Sequence, residues 1–378
     1  MFIRDPRFGI GRRDLGRYLM YMAGVNAENI VKAGRYDDLL YSKGDYRKEN
    51  LMYLYKKAEG GDQLAKKWLP RLTGKDKAIA EEIRRLMNVS YKKYRQVAKV
   101  QTTESLLSEK RIDEIDYEHV PSLAMIKYYK RFMREEKFRS YIDEVKSGEK
   151  KLNVSTTTVY DIYKNSDKID ADLFFDKIEK IDINCLVILD SSGSMFDDND
   201  SIGKALSIGH YLSKCSSYCT GQFISFSKNP KLITIGYSDP GSWASRRVGK
   251  GRSNYSKEIQ SMATGEVANT DFGKVMNLLK KLKAYPEYIV VLSDMEFDSG
   301  SKQSKEELQR IWKENRCQTK IVWWNLNSRN KTVPELDEMG NIFMSGYSPM
   351  LLKYLESGFD GSKFLEKLLT EYAENINF

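Results

Sequence analysis

The chain has 378 residues, 41% of them hydrophobic, and a formal net charge of +9 at pH 7. This length and composition suit two or three globular domains, and they argue against a membrane span because no apolar run reaches about 18 residues. No N-terminal apolar segment resembles a signal peptide, so we expect a soluble, intracellular, cytoplasmic protein without a membrane partner.

The basic excess lies at the start of the chain. Residues 1–100 carry 23 Lys and Arg against 12 Asp and Glu, whereas residues 101–180 carry 15 against 17 and residues 181–378 carry 24 against 24. A chain charged this unevenly favours a polyanion partner for its basic part, here structured or small RNA. A solvated helical surface, which also carries many lysines, is the alternative.

Short amphipathic helices are expected over the first 150 residues. Apolar residues at helical spacing predict helices at residues 14–24, 30–40, 49–58, 62–69 and 76–87, and the pattern continues to residue 148. Such a succession is typical of an all-α, helical-repeat-like array, and it defines a first domain at residues 1–150. Its arginines and lysines can bind phosphate, and its aromatic residues can stack on bases. The candidate RNA contacts are Arg12, Arg13, Arg17, Lys32, Arg35, Arg84, Arg85, Lys92, Lys93 and Arg95.

Strands and helices alternate in the rest of the chain. Residues 151–182 are expected to form a connector with one helix, and residues 183–378 a second domain. The predicted strands cover residues 185–189, 221–226, 231–235, 288–292, 319–324 and 341–344, and the predicted helices cover residues 202–215, 272–283, 306–315, 349–355 and 363–374. This alternation predicts a doubly wound, mainly parallel sheet, so the fold class is α followed by α/β. The tight turn at residues 227–230 predicts one antiparallel pair at an edge.

One stretch of the second domain carries candidate chemistry. Residues 185–189 form an apolar run that predicts a strand buried on both faces, and Asp190, Ser192 and Ser194 follow it. Open α/β sheets bind ligands at the carboxyl ends of their strands. One carboxylate and two hydroxyls are hard oxygen ligands, which suit Mg²⁺, Mn²⁺ or Ca²⁺. An ordinary turn is the alternative, because Asp and Ser also favour turns and helix caps.

This D-x-S-x-S stretch resembles the metal-ion-dependent adhesion site of von Willebrand factor A (vWA) domains. In that family a threonine from a second loop and an aspartate after a later strand complete the site, and the sequence has Thr270 and Asp294 at those places. The resemblance implies that Asp190, Ser192, Ser194, Thr270 and Asp294 hold the cation directly or through water. It also implies that a protein partner donates an Asp or Glu to the metal.

A wider resemblance covers most of the chain. The motifs D-x-S-x-S, N-T-D-F, S-D-M-E-F-D and W-W-N-L follow one another, and the first half contains A-G-R-Y-D-D-L-L and I-D-Y-E-H-V-P-S-L-A. Together they resemble an uncharacterised TROVE-like/vWA two-domain family of fungi, plants and large viruses. That architecture is similar to the Ro autoantigen family, in which a helical-repeat TROVE module binds small structured RNAs and a vWA domain is appended. The resemblance implies RNA binding by residues 1–150.

Residues 236–265 are predicted to form a long, loop-like insert with many basic residues. The insert leads directly to Thr270 and is therefore expected near the metal face. Arg246, Arg247 and Arg252 are candidate contacts there for a phosphate or an acidic partner. A mobile, solvated loop is the alternative.

Catalysis has little support in the sequence. No G-x-x-x-x-G-K-[ST] phosphate loop occurs, and two histidines, His119 and His210, leave little for Ser-His chemistry or a zinc site. The four scattered cysteines are expected to be reduced and buried. We therefore expect a non-enzymatic binding protein. The alternative is a structural or assembly component, in the virion if the protein is viral, that docks through the metal site.

Overall fold

The computed structural model describes residues 13–33, 35–44, 46–226, 229–237, 253–263, 272–294, 310, 319–327, 335–336, 341–347 and 349–374. Contacts divide the chain into two compact units: Met1–Ile115 with Asp360–Phe378, called here the helical unit, and Asp116–Phe359, called the sheet unit. Residues 116–182 thus fall in the sheet unit, whereas the sequence predicts domain boundaries at residues 150 and 182. The predicted domain boundaries stay a prediction.

The helical unit begins with short helices joined by tight turns. They are α1 (Arg13–Met22), α2 (Ala27–Ala33), α3 (Tyr36–Leu39), α4 (Tyr46–Glu59), α5 (Gln63–Trp68), α6 (Lys77–Leu86), α7 (Tyr91–Val97) and α8 (Thr103–Ser108). The helix predicted at residues 30–40 is split into α2 and α3. The backbone at Arg35 is extended, and its amide donates to the Asp38 carboxylate at 3.0 Å to start the second helix.

The core of the helical unit is built on one face of α4. Leu51, Leu54, Tyr55 and Ala58 follow helical spacing and are fully buried. Tyr94 of α7 stacks on Tyr55 with ring centroids 5.9 Å apart. Burial of this stripe is worth about 25 cal/mol for each Å² of apolar surface, which explains why such short helices hold together.

The sheet unit begins with four α-helices, and strands and further helices follow them. Its helices are α9 (Ser122–Phe132), α10 (Glu136–Ser147), α11 (Val159–Asn165), α12 (Ala171–Lys177), α13 (Ser201–Cys215), α14 (Asn254–Met262), α15 (Phe272–Leu282) and α16 (Pro349–Glu356). Its strands are β1 (Cys185–Asp190), β2 (Gln222–Phe226), β3 (Lys231–Thr234), β4 (Tyr288–Ser293), β5 (Lys320–Asn325), β6 (Glu335–Leu336) and β7 (Ile342–Ser345). The last helix, α17 (Gly361–Glu374), belongs to the helical unit.

The described strands form one mixed sheet in the order β3-β2-β1-β4-β5-β7-β6. The central pairs β2–β1, β1–β4, β4–β5 and β5–β7 are parallel, and the edge pairs β2–β3 and β6–β7 are antiparallel. Every residue of β1 and β4 is buried. The predicted fold class is therefore confirmed: a helical first half followed by a mainly parallel α/β sheet, with the antiparallel pair where the tight turn predicts it.

The order of the strands locates a crevice. The chain runs outward from β1 through β2 to β3 and then returns to the other side of β1 with β4 and β5. Connections leave in opposite directions from β1 and β4, so their carboxyl ends flank the topological switch point, the usual ligand-binding place in open α/β sheets.

Helix α14 corrects part of the prediction for the insert at residues 236–265. Ser253 accepts a hydrogen bond from a backbone amide of the first turn, and Tyr255, Ile259 and Met262 form the buried face. The loop interpretation was therefore wrong for residues 254–262, because basic and polar neighbours hide a short apolar stripe at helical spacing.

Helix α11 corrects the prediction of a connector with one helix at residues 151–182, because that segment contains both α11 and α12. Thr158 and Asp161 close a capping box, and Val159, Ile162 and Tyr163 are buried. Three apolar residues are too few to show a period in the sequence. The helix predicted at residues 306–315 lies outside the described residues, apart from Arg310. Among the described helices, none combines the length and the apolar character needed to cross a membrane.

Candidate metal centre

Asp190 is the last residue of β1 and is 0% exposed. Its Oδ1 accepts a hydrogen bond from the Ser192 amide at 2.8 Å, and its Oδ2 accepts one from the Ser293 hydroxyl at 2.6 Å. These bonds orient the carboxylate at the end of the strand. Burial raises the pKa of Asp190 to about 6, because its negative charge is removed from water.

Ser192 and Ser194 bring two hydroxyls beside this carboxylate. A 3₁₀ turn over Gly193–Met195 makes side chains at alternate positions neighbours, and the two Oγ atoms lie 3.0 Å apart. The loop is fixed to the next strand, since the Ser191 amide donates to the Phe226 carbonyl at 3.3 Å. The alternation of serines in the sequence therefore does place their oxygens together.

Asp294 directly follows β4 and is buried. The parallel register places Leu189 beside Leu292, so the residues that follow these two reach the same edge of the sheet. After burial and hydrogen bonding, the charge of Asp294 is a further influence on the pKa of Asp190, and it acts to raise it. Asp190, Ser192, Ser194 and Asp294 thus lie at the same edge of the sheet, at the switch point.

Other predicted contacts of this face lie outside the described residues. They are Thr270 and the loop residues Arg246, Arg247 and Arg252. Sequence reasoning also missed one contributor, the Ser293 hydroxyl that holds Asp190. The sequence signal for this contact is the Ser-Asp pair that follows the apolar residues of β4.

The donor set fits a divalent cation. Two carboxylates and two hydroxyls are hard oxygen ligands of the kind that Mg²⁺, Mn²⁺ and Ca²⁺ take. A cation between Asp190 and Asp294 would also offset their repulsion, which burial strengthens. Within the described ranges, no three or more His, Cys, Asp or Glu side chains cluster in a way that suits a metal. Any cation here would therefore depend on the serine hydroxyls as well as on the two acids.

The arginines predicted to contact RNA are partly engaged within the helical unit. Arg17 donates to buried Asp38 at 2.7 Å and to Asp37 at 3.2 Å, and its guanidinium packs on the Tyr41 ring. Arg35 lies 3.4 Å from Asp37 and packs on Trp68. These contacts give both arginines a structural role.

Several of the other predicted RNA-contact residues form ion pairs or hydrogen bonds within the helical unit. Ion pairs join Arg84 to Glu81 at 2.9 Å, Lys32 to Glu28 at 3.1 Å and Lys93 to Glu59 at 3.0 Å, and Arg85 Nε donates to the Glu81 carbonyl at 3.3 Å. The side chain of Arg13 and all of Arg12 lie outside the described residues.

Helix α7 offers the most accessible group of predicted RNA contacts. Lys92, Lys93 and Arg95 are all exposed on it, and Tyr91 at its start is 47% exposed. The Arg95 guanidinium lies 6.0 Å from the Tyr91 ring centroid. Basic and aromatic side chains thus share this surface.

The fold and the switch-point site define an α/β protein whose sheet carries paired carboxylates and hydroxyls, preceded by a helical half. Residues 184–371 match a family described as a domain of unknown function (DUF7788), and residues 62–182 match another, DUF2828. The boundary between the two matches falls just before β1.

One curated relative and two solved structures add to these matches. The relative is "Uncharacterized protein L728" of Acanthamoeba polyphaga mimivirus, 25% identical over an alignment of 350 residues that covers 79% of this chain and 58% of that protein. The chain thus spans little more than half of that relative, a large-virus protein of the kind the resemblance predicts. The Deinococcus radiodurans Ro (RSR) protein is 11% identical with a TM-score of 0.37, over 85% of this chain and 79% of that chain. Proximal thread matrix protein 1 from the mussel byssus is 13% identical with a TM-score of 0.31, over 47% of each chain. At scores this low, neither structure carries an argument about this chain.

Proposed function

We propose that the chain is a non-enzymatic binding protein of the vWA type, whose sheet unit holds a divalent cation, Mg²⁺ before Mn²⁺ or Ca²⁺. Asp190, Ser192, Ser194, Thr270 and Asp294 supply the ligands, and a partner protein adds an Asp or Glu carboxylate. The observation that carries the proposal is the buried Asp190, held beside two hydroxyls and close to a second buried acid.

The donor set also supports binding over catalysis. Hydroxyl ligands leave the cation more positive than a set made of carboxylates alone, so it attracts an external carboxylate strongly. His210 is 0% exposed and pairs through Nε2 with Glu258 of α14, so its imidazole is shielded from solvent and poorly placed to act as a general base. The proposed role of the site is therefore docking.

Calorimetric titration of the full chain with Mg²⁺ tests the cation site. Asp190→Asn should abolish measurable binding and leave the circular dichroism spectrum unchanged, because the amide keeps the size and one hydrogen-bond acceptor of the carboxylate. Asp198→Asn removes an exposed carboxylate from the same loop and is the matched control; it should bind as the wild type does. Equal Mg²⁺ affinity in Asp190→Asn and the wild type would refute the site.

The helical unit is proposed to bind structured RNA. Support comes from the excess of eleven positive charges in residues 1–100 and from the exposed basic and aromatic residues of α7. Phosphate contacts of this kind release counterions, so binding must weaken as salt rises. Single-stranded parts of the RNA can stack on Tyr91.

Filter binding of a structured RNA over a range of salt concentrations tests this role. Removing Lys92, Lys93 and Arg95 together should lower the slope of log affinity against log salt by about 2.7, if each contacts one phosphate. The control removes three exposed charges of the sheet unit, Lys130, Arg134 and Lys168. Equal losses of RNA affinity in both variants would show that net charge alone, and not the surface of α7, drives binding. The absence of RNA binding at low salt would refute the proposed role.

A second candidate is a structural or assembly component that docks copies or partners through the same cation. Sedimentation of the full chain with Mg²⁺ and with a chelator distinguishes the two. Chelator-reversible growth into larger particles supports assembly, and a constant sedimentation rate argues against it.

A further inference from the structure

His210 of α13 is a buried histidine, and one of its two ring nitrogens is hydrogen-bonded to a carboxylate. The residue is 0% exposed, and its Nε2 lies 2.7 Å from Glu258 Oε2. Its ring makes edge contacts with Phe175 at 4.7 Å and Tyr255 at 5.0 Å between centroids. Within the described part of the chain, Nδ1 has no hydrogen-bond partner. The imidazole is therefore held as a neutral donor to one carboxylate.

Burial disfavours a second proton on the ring of His210, and the charges of Lys214 and Lys180 add to this effect, whereas the Glu258 carboxylate opposes it. Helix α14 presents Glu258 and Tyr255, α13 itself presents Lys214, the segment after α12 presents Lys180, and α12 presents uncharged Phe175. The Glu258 carboxylate already binds Lys214 Nζ at 2.7 Å through its other oxygen. A protonated ring would bury a positive charge and an Nδ1–H for which the described residues offer no acceptor.

The neighbouring residue Gly209 lies where the strands of the proposed cation site meet α14. A Cβ at this position would lie 3.0 Å from a methyl of Leu189, 3.4 Å from a methyl of Leu292 and 3.4 Å from the methyl of Met262. Leu189 precedes Asp190, Leu292 lies two residues before Asp294, and Met262 ends α14 eight residues before Thr270. This turn of α13 thus touches each element that leads to a proposed ligand.

We propose that His210 is a positioning residue of the cation site: its neutral ring holds α14 against α13 through Glu258, and protonation releases α14 and weakens cation binding. Only the effect on cation binding rests on the proposed function. The release of α14 does not depend on it. Asp172 of α12 accepts the Tyr255 amide at 2.7 Å and the Asn254 amide at 3.1 Å, so the start of α14 keeps a second anchor. Release should therefore affect the end of the helix nearest Thr270 most.

The direction with pH follows from the two groups that join α13 to α14. Burial lowers the pKa of His210 below its ordinary value of 6.5, so the stability gained from the neutral ring is complete above that value and is lost as pH falls. Burial would raise the pKa of Glu258, but hydrogen bonds from His210 and Lys214 lower it to about 2. The contribution of Glu258 is complete above its ordinary value of 4.5, so of these two groups only the histidine loses stabilising free energy between pH 6.5 and about pH 5.

Hydrogen–deuterium exchange of the metal-free full chain tests the release of α14. Amides at residues 258–262 should exchange about tenfold faster at about pH 5 than at about pH 7.5, after correction for intrinsic rates, and return when the pH is raised. In His210→Gln, whose amide donates to Glu258 but does not titrate, the two rates should agree. His119→Gln changes the other, exposed histidine and should behave as the wild type does.

The wild type also gives a readout that needs no variant. The chain has two histidines, so the imidazole signals of His210 can be assigned in a carbon–proton correlation spectrum by comparison with His119→Gln. The midpoint of the His210 titration must coincide with the midpoint of α14 release. Constant protection of α14 through that titration would overturn the proposal.

The contact of His210 with Glu258, which joins α13 to α14, is called here the latch. Calorimetry with Mg²⁺ distinguishes failure of the latch from failure of the cation site. Asp190 titrates in the same range, so the wild type is compared with His210→Gln, in which Asp190 is unchanged. The wild type should lose about tenfold more affinity than His210→Gln between about pH 7.5 and about pH 5. Equal losses overturn the positioning role, whereas acid release of α14 without Mg²⁺ binding at any pH refutes the cation site and leaves the latch intact.

Discussion

Replacing Gly203 by alanine is expected to destabilise the sheet unit by about 3 kcal/mol, the upper range for overpacking a filled site. A Cβ on Gly203 would lie 2.5 Å from Cε1 of the Tyr163 ring and closer still to the Asp200 carboxylate. Neither neighbour moves easily. Asp200 has a left-handed backbone (φ 54°) and accepts the Tyr160 hydroxyl at 2.8 Å, and Tyr163 is buried. Urea unfolding followed by circular dichroism measures the change.

Gly209→Ala on the same helix is the matched comparison. Its added methyl would meet the ends of Leu189, Leu292 and Met262 at 3.0 to 3.4 Å, and flexible side chains can yield at about 1 kcal/mol. Gly203→Ala should therefore be the more destabilised of the two. The reverse order would show that the junction of α11 with the start of α13 is looser than the contacts indicate.

Asp38→Ala is expected to destabilise the helical unit by about 3 kcal/mol, the lower range for breaking a buried ion pair. Asp38 is 0% exposed, and its carboxylate accepts Arg17 Nε at 2.7 Å and the Arg35 amide at 3.0 Å. Alanine leaves both donors without this acceptor. The value is held to the lower range because Asp37 still pairs with Arg17 at 3.2 Å.

Differential scanning calorimetry measures this loss, and hydrogen exchange over residues 36–59 places it. Glu28→Gln breaks the exposed ion pair with Lys32 in the same unit and should cost no more than about 0.5 kcal/mol. If the two variants were equally stable, the Arg17–Asp38 pair would contribute no more to the free energy of unfolding than an exposed ion pair does. Arg17 would then return to the candidates for RNA contact on equal terms with α7.

The main outlines of the sheet unit were predictable from local patterns. The uninterrupted apolar run before Asp190 predicts a strand buried on both faces, and β1 is such a strand. The short link after β2 predicts an antiparallel partner, and β3 is that partner. The alternation of Ser192 and Ser194 predicts neighbouring hydroxyls, and their oxygens lie 3.0 Å apart. Each prediction depends on residues close together in the chain.

Helices with few apolar residues were harder to predict. α11 and α14 bury three apolar side chains each, and the polar residues around them mask the helical period of the sequence. Their stability comes from caps and from packing on other elements, which a periodic pattern does not record. The single helix predicted at residues 30–40 failed for a related reason, since an extended residue, Arg35, interrupts an otherwise favourable stretch.

By itself the sequence determined which faces are apolar, where charge accumulates and which oxygen ligands follow the central strands. Tertiary structure alone decided the partners: Ser293 for Asp190 across 103 positions, Glu258 for His210 across 48, and Asp38 for Arg17 across 21. The physical reason is that backbone periodicity acts over one or two turns, whereas a buried polar group takes whatever partner packing brings within hydrogen-bond distance. A charged residue in the sequence can therefore serve a ligand or the fold, and only its buried neighbours show which.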